Sequence, residues 1–165
     1  MGEENDYYGT FLPEIKAVIA AGGKTFAPRS TPTGYAPDFA KWLKATGRKN
    51  VIIGGISIDN CTLHTSLDLI RNGYNVYVVV DASSTNSKLA EDAAIQRLIL
   101  AGAIPVGWLN ALTDLGKDFA GPYGKGMMNY ATDRNNIYNN SKHRLKGCKI
   151  RVLNHELGER PCILP

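Results

Sequence analysis

The sequence predicts an α/β fold built on a doubly wound parallel sheet. Three observations carry that expectation. Val51-Ile52-Ile53 and Val76 to Val80 are short runs, apolar almost throughout, as strands buried on both faces of a parallel sheet are. A stretch with helical spacing of apolar residues follows each run, so strands alternate with helices. Gly54-Gly55, Asn72-Gly73 and Gly102 punctuate the alternation where turns are needed.

In chain order, residues 1–10 read as a loose leader. Leu12, Ile15, Val18 and Ile19 give Phe11 to Ala21 a helical spacing, with Pro13 in the first turn and Gly22-Gly23 as the stop. Lys24 to Pro28 is a weak strand candidate, followed by Arg29 and the loop STPTGYAP. Pro37 to Thr46 should be a helix with Phe39, Trp42 and Leu43 on its apolar face and Gly47 ending it. The strand at residues 51–53 leads through Gly54-Gly55 and a short loop to Cys61, where the next helix should begin. Leu63, Leu67 and Ile70 form one face of that helix. Asp81-Ala82-Ser83 closes the strand at 76–80. Asn86 or Ser87 can cap the helix that runs to about Ala101. Ile104 to Trp108 reads as a last strand and Asn110 to Phe119 as a helix. Beyond Gly121 the pattern fades to a partial helix and then a tail, with one short strand candidate at Ile150 to Leu153. The organisation expected is one domain at residues 9–125 and a C-terminal extension at 126–165.

Composition narrows the function classes. The chain has 165 residues and 44% hydrophobic content, enough for a packed core. A formal charge of +4, without interleaved basic and aromatic residues, argues against a nucleic-acid partner. The longest apolar run has strand length, which argues against a membrane span. Three cysteines (Cys61, Cys148, Cys162) and an acidic, polar start fit a reducing, cytoplasmic location. Three scattered histidines without paired cysteines argue against zinc, and no cofactor is expected.

Cys61 is the chemical focus. It falls at the start of a helix that follows the C-terminal end of a strand, the edge where open α/β sheets place ligand sites. A helix start offers unpaired N–H groups and partial positive charge, and both favour the nucleophilic thiolate. The plain alternative is a buried structural thiol. His64, one turn further, reads as a packed or solvated histidine rather than a partner for the thiol. His143 and His155 read as solvated. Asp59 reads as a cap for the helix; its alternative is a carboxylate serving the site. Asp81 should cap the turn after its strand. Trp108 is core or pocket wall. Gly54-Gly55 lacks the spacing of a dinucleotide fingerprint.

The segments DFAKWLKATGRKNVIIGGISIDNC, RNGYNVYVVVDASST and AIQRLILAGAIPVGWLNAL together resemble the isochorismatase-like cysteine hydrolase superfamily, above all its YcaC-like branch. The resemblance covers roughly residues 10–120. It implies a Rossmann-like three-layer fold and an amidase-type hydrolase. In such a hydrolase a cysteine forms a covalent adduct with a small amide-like substrate, releases ammonia or an amine, and is freed by water. On this chain the resemblance implies Cys61 as nucleophile and Arg29 as the basic residue. It implies an oxyanion hole from the backbone N–H groups of Asn60 and Cys61, and a non-proline cis peptide between Ile56 and Ser57. A small-molecule substrate and a homo-oligomer are implied as partners.

The family places an aspartate on a first strand, within a strand–helix–strand segment ahead of the matched region, so the resemblance implies an N-terminally truncated domain here. Ile58 stands where the family has threonine, and Asn60 where it has a small apolar residue. Without the central first strand, the strand before Cys61 should expose an apolar edge. A marginal or self-associating monomer is the expectation, against which a sharp, reversible, concentration-independent melt would count. Two readings follow, an active cysteine hydrolase or a degenerate family member serving as an oligomer subunit or interaction protein. A nucleotide-binding flavodoxin-like domain is disfavoured, because no glycine loop for phosphate opens a helix.

Overall fold

The computed structural model describes residues 10–26 and 28–133. Expectations for residues 1–9 and 134–165, including Cys148, Cys162, His143, His155 and the strand at Ile150 to Leu153, lie outside them. Two compact units are separated, Met1–Ala111 and Leu112–Pro165. The boundary expected near residue 125 therefore falls inside the second unit.

The first unit carries a parallel sheet of three described strands, β1 (Asn50–Ile53), β2 (Asn75–Val79) and β3 (Ile104–Val106), in that spatial order. Val51 pairs with Val76 and Ile53 with Val78, while Tyr77 pairs with Ile104. Helix α1 (Pro13–Ala20) and helix α2 (Pro37–Ala45) precede β1, and both begin on the proline the sequence offered. Helix α3 (Cys61–Arg71) connects β1 to β2. Helix α4 (Lys88–Leu100) connects β2 to β3, and Ser87 caps it by accepting from Ala90 N–H at 3.4 Å. Helix α5 (Trp108–Gly116) follows β3, and a further helix covers residues 124–133. Helices α3 and α4 touch each other as well as strands β2 and β3, which places both on one face of the sheet.

The core forms where these layers meet. Leu63, Leu67 and Leu69 of α3 pack with Val76 and Val78 of β2, Ala94 and Leu98 of α4, and Ile58 from the loop before α3. Leu43 joins from α2. The three leucines of α3 recur at spacings of four and two, so a broad face of this helix is buried, and Leu69 is wholly inaccessible.

Three sequence expectations need correcting. Lys24 to Pro28 forms no strand among its described residues. Phe26 instead packs edge-on against Phe39 (5.3 Å between centroids) and Trp42 (5.5 Å) of α2, so its ring is satisfied by a helix. Arg29 accordingly sits in a loop. Trp108 opens α5 rather than closing β3, because Asp81 Oδ1 accepts its N–H at 2.8 Å. Asp81 thus caps α5 from the end of β2, and not the turn after its own strand.

The expected apolar edge is present. Strand β1 pairs only with β2 among the described residues, and Ile52 is 42% and Ile56 81% exposed. No lysine, proline or bulge interrupts Asn50–Ile53 to blunt that edge.

Candidate active site

The loop from β1 to α3 is built tightly. Gly54 packs closely, since an added Cβ would lie 3.3 Å from the Ala82 carbonyl oxygen and the neighbour would have to give way by a few tenths of an ångström. Gly55 has φ +147°, a backbone conformation open to glycine. The Ile56–Ser57 peptide is cis. Ile58 then buries its side chain completely and anchors the turn in the core. Asn60, with φ −131° and ψ −90°, brings the chain into α3, and Cys61 is the first helical residue.

The loop is stitched to its surroundings by small polar groups. Gly55 N–H donates to Ser83 Oγ at 3.2 Å, and Ser83 Oγ donates to Val79 O at 2.8 Å. Thr62 Oγ1 donates back to Gly55 O at 3.2 Å. Ile56 bridges Ser84, and Ile58 N–H donates to Ser84 O at 3.0 Å. The turn before Cys61 is therefore fastened to the segment after β2 at several points. These fasteners are the functional context that reading the sequence missed. A signal was available, because Thr62, Thr65 and Ser66 are polar residues on the buried side of α3, where a plain core helix would be apolar.

Cys61 is half-buried and is the free cysteine among the described residues. As the first residue of α3, its N–H finds no backbone acceptor there, whereas Thr62 N–H is taken by Ser57 O at 3.1 Å. Asn60 N–H also donates to Ser57 O, at 3.3 Å. An oxyanion would have Cys61 N–H directly, but Asn60 N–H only by displacing that long bond.

Asp59 does not cap α3. The residue at the cap position is Asn60, and it makes no side-chain capping bond. The hydroxyls of Ser57 and then Thr85 face the Asp59 carboxyl and hold it below the ordinary aspartate range. Its Oδ1 is nevertheless buried without a hydrogen-bond partner among the described residues, so the donors reach only part of the carboxylate. His64 is half-buried, and no hydrogen bond joins it to Cys61.

Arg29 is half-buried, and its Nη2 lies 3.5 Å from Pro32 O. Its loop is fixed to α3, because Gly34 N–H donates to Thr65 Oγ1 at 2.6 Å, one turn beyond Cys61. Thr33 Oγ1 accepts from Tyr35 N–H at 3.0 Å and tightens the same loop. The sequence-predicted residues thus fall into two groups: Asn60 and Cys61 adjoin at the helix start, and Arg29 belongs to a loop docked on the same helix. A cavity of about 420 Å³ lies elsewhere, on α2 between Phe26, Lys41 and Trp42, and includes none of the loop before Cys61. Among the described residues no cluster of three His, Cys, Asp or Glu could hold a metal.

Fold and site together define an α/β protein with a cysteine at the helix start beyond a parallel strand. The chain belongs to the isochorismatase family: the Isochorismatase domain matches residues 4–108. It is 33% identical over 111 residues to the probable hydrolase YcaC of Escherichia coli, covering 67% of this chain and 53% of that one. The structure of the E. coli YcaC product, described as an octameric hydrolase of unknown specificity, aligns with a TM-score of 0.65 at 28% identity, over 78% of this chain and 68% of that chain. YcaC from Pseudomonas aeruginosa, solved with hexane-2,5-diol and covalent acrylamide, gives 0.63 at 33% identity, over 67% and 55%. The MAR1 ribonuclease of Caenorhabditis elegans gives 0.63 at 29% identity, over 73% and 62%. The chain spans about half the length of the curated relatives it matches. No helix among the described residues is long and apolar enough to cross a membrane.

Proposed function

We propose that the chain is the nucleophile-bearing part of a cysteine hydrolase that cleaves a small amide-type C–N bond through a covalent thio-adduct. The observation that carries the reading is Cys61 as first residue of α3, with no acceptor for its N–H among the described residues, behind a loop fixed at both ends. The Cys61 sulfur attacks the amide carbon, and the carbonyl oxygen takes up the negative charge beside Cys61 N–H. The C–N bond then breaks, and the thiol proton leaves with the nitrogen as ammonia or an amine. Water adds to the thioester and restores the thiol, releasing the acid. Arg29, on its α3-docked loop, is the basic residue of this reading. The covalent acrylamide of the Pseudomonas relative supports an electrophile-accepting site, and the octamer of the E. coli relative supports a homo-oligomer.

The degenerate-subunit reading is favoured by one observation, a β1 edge left unpaired among the described residues, which suits a partner better than a solitary monomer. Ammonia release from a panel of small primary amides separates the two. Turnover above the buffer rate, with at least one amide, is expected. No turnover with any amide, by protein that sediments as a folded oligomer, would favour the subunit reading.

A further inference from the structure

Thr65 is a polar, β-branched residue on the buried side of α3, only 8% exposed. A buried hydroxyl costs stability unless it is hydrogen-bonded, and so does a buried backbone N–H. One contact answers both demands: Gly34 N–H donates to Thr65 Oγ1 at 2.6 Å, across 31 residues of chain. The place of that contact matters for Cys61. Cys61 and Thr65 stand four residues apart on α3, so they are neighbours on one face of the helix. Helical side chains lean towards the helix N-terminus, and the Thr65 side chain therefore leans towards the turn that carries Cys61. Arg29 is held to the same end of the loop, because its Nη2 lies 3.5 Å from Pro32 O, two residues before Gly34. The loop is fixed beyond Gly34 as well, where the Tyr35 ring meets Phe39 and Tyr74 edge-on at 6.2 and 6.4 Å between centroids.

We propose that Thr65 is a positioning residue for Arg29 and Cys61: its hydroxyl, by accepting Gly34 N–H, holds the loop 29–35 on the face of α3 that carries Cys61. The proposal rests on the reading of Cys61 as nucleophile and Arg29 as its basic residue. It gives Thr65 a part in the chemistry although its hydroxyl meets the loop and not the substrate. A guanidinium held near the sulfur favours the thiolate and draws anionic reagents to it. A contact that served loop stability alone could be removed without moving that charge effect.

The test compares two alkylating reagents of similar size, the anion iodoacetate and neutral iodoacetamide, by their rates at Cys61. Peptide mass spectrometry resolves the site, and circular dichroism confirms the fold. The ratio of the two rates reads the local charge. In the folded wild-type chain the ratio should exceed its value in urea by about 5-fold, the scale of one partly screened charge. Arg29→Gln should remove most of that excess. Thr65→Val, which keeps the shape and loses the acceptor, should do the same, and Thr65→Ser, which keeps the hydroxyl, should restore it. Added to Arg29→Gln, Thr65→Val should lower the ratio no further, because Thr65 acts through Arg29. A wild-type ratio in Thr65→Val, or a Thr65→Ser no better than Thr65→Val, would overturn the proposal. If Thr65→Val does not fold, Thr65→Ala decides in its place, and a wild-type ratio there also overturns it. A wild-type ratio that is the same folded and in urea removes Arg29 as the basic residue and this proposal with it. A raised ratio that falls in Arg29→Gln but not in Thr65→Val removes only this proposal.

Discussion

Cys61→Ser is expected to lower amide turnover by at least about 1,000-fold, the scale on which loss of a nucleophile is felt. A serine hydroxyl at the same helix start is a far weaker nucleophile than a cysteine sulfur, so it cannot replace it. The fold should hardly notice. Cys61 is half-buried, its side chain belongs to none of the core contacts, and a near-isosteric change at such a position shifts stability by about 0.5 kcal/mol or less. Ammonia release and a thermal melt on one preparation check both halves. Loss of activity with an unchanged melt is the expected pair.

Leu69→Ala should have the largest effect on stability. Leu69 is fully inaccessible on α3, within the cluster that joins α3 to β2 and α4. Removing its isobutyl group leaves a cavity that close-packed neighbours fill only in part, at a cost of about 2–5 kcal/mol. Leu100, at the end of α4, is 88% exposed and supplies the contrast. Leu100→Ala should stay within about 0.5 kcal/mol of the unaltered chain. Urea denaturation of the two variants reads the difference. Since α3 also carries Cys61, the Leu69 variant should lose activity at temperatures where the unaltered chain keeps it.

The central β–α–β arrangement was legible because its signals are local and agree. Three consecutive β-branched residues, a glycine pair, leucines at helical spacing and Asn72-Gly73 specify β1, α3 and the turn to β2 without help from distant residues. Cys61 as first residue of α3 followed from the same pattern. What stayed hidden depends on partners far along the chain. Phe26 sits in a segment that would suit a strand, but a strand needs a neighbour, and the rings of Phe39 and Trp42 gave it another place. Asp81 looked like a local cap until Trp108 N–H, 27 residues on, became its donor. For Asp59 a helix cap is the commonest use of an aspartate at that place, whereas Asn60 takes the cap position and the hydroxyls of Ser57 and Thr85 hold the Asp59 carboxyl below the ordinary range. The link from Gly34 to Thr65 that docks the Arg29 loop spans 31 residues and has no sequence signature.

Folding should make Cys61 reactive. The most direct measurement compares iodoacetamide alkylation of Cys61 at neutral pH in the folded chain and in urea, resolved by peptide mass spectrometry, with Cys148 and Cys162 followed in the same digest. A rate at Cys61 that is higher in the folded chain than in urea, and higher than at the other two cysteines, is the predicted result. A Cys61 that is slower when folded, or no faster than Cys148 and Cys162, would contradict it and leave the α3 start as architecture without chemistry.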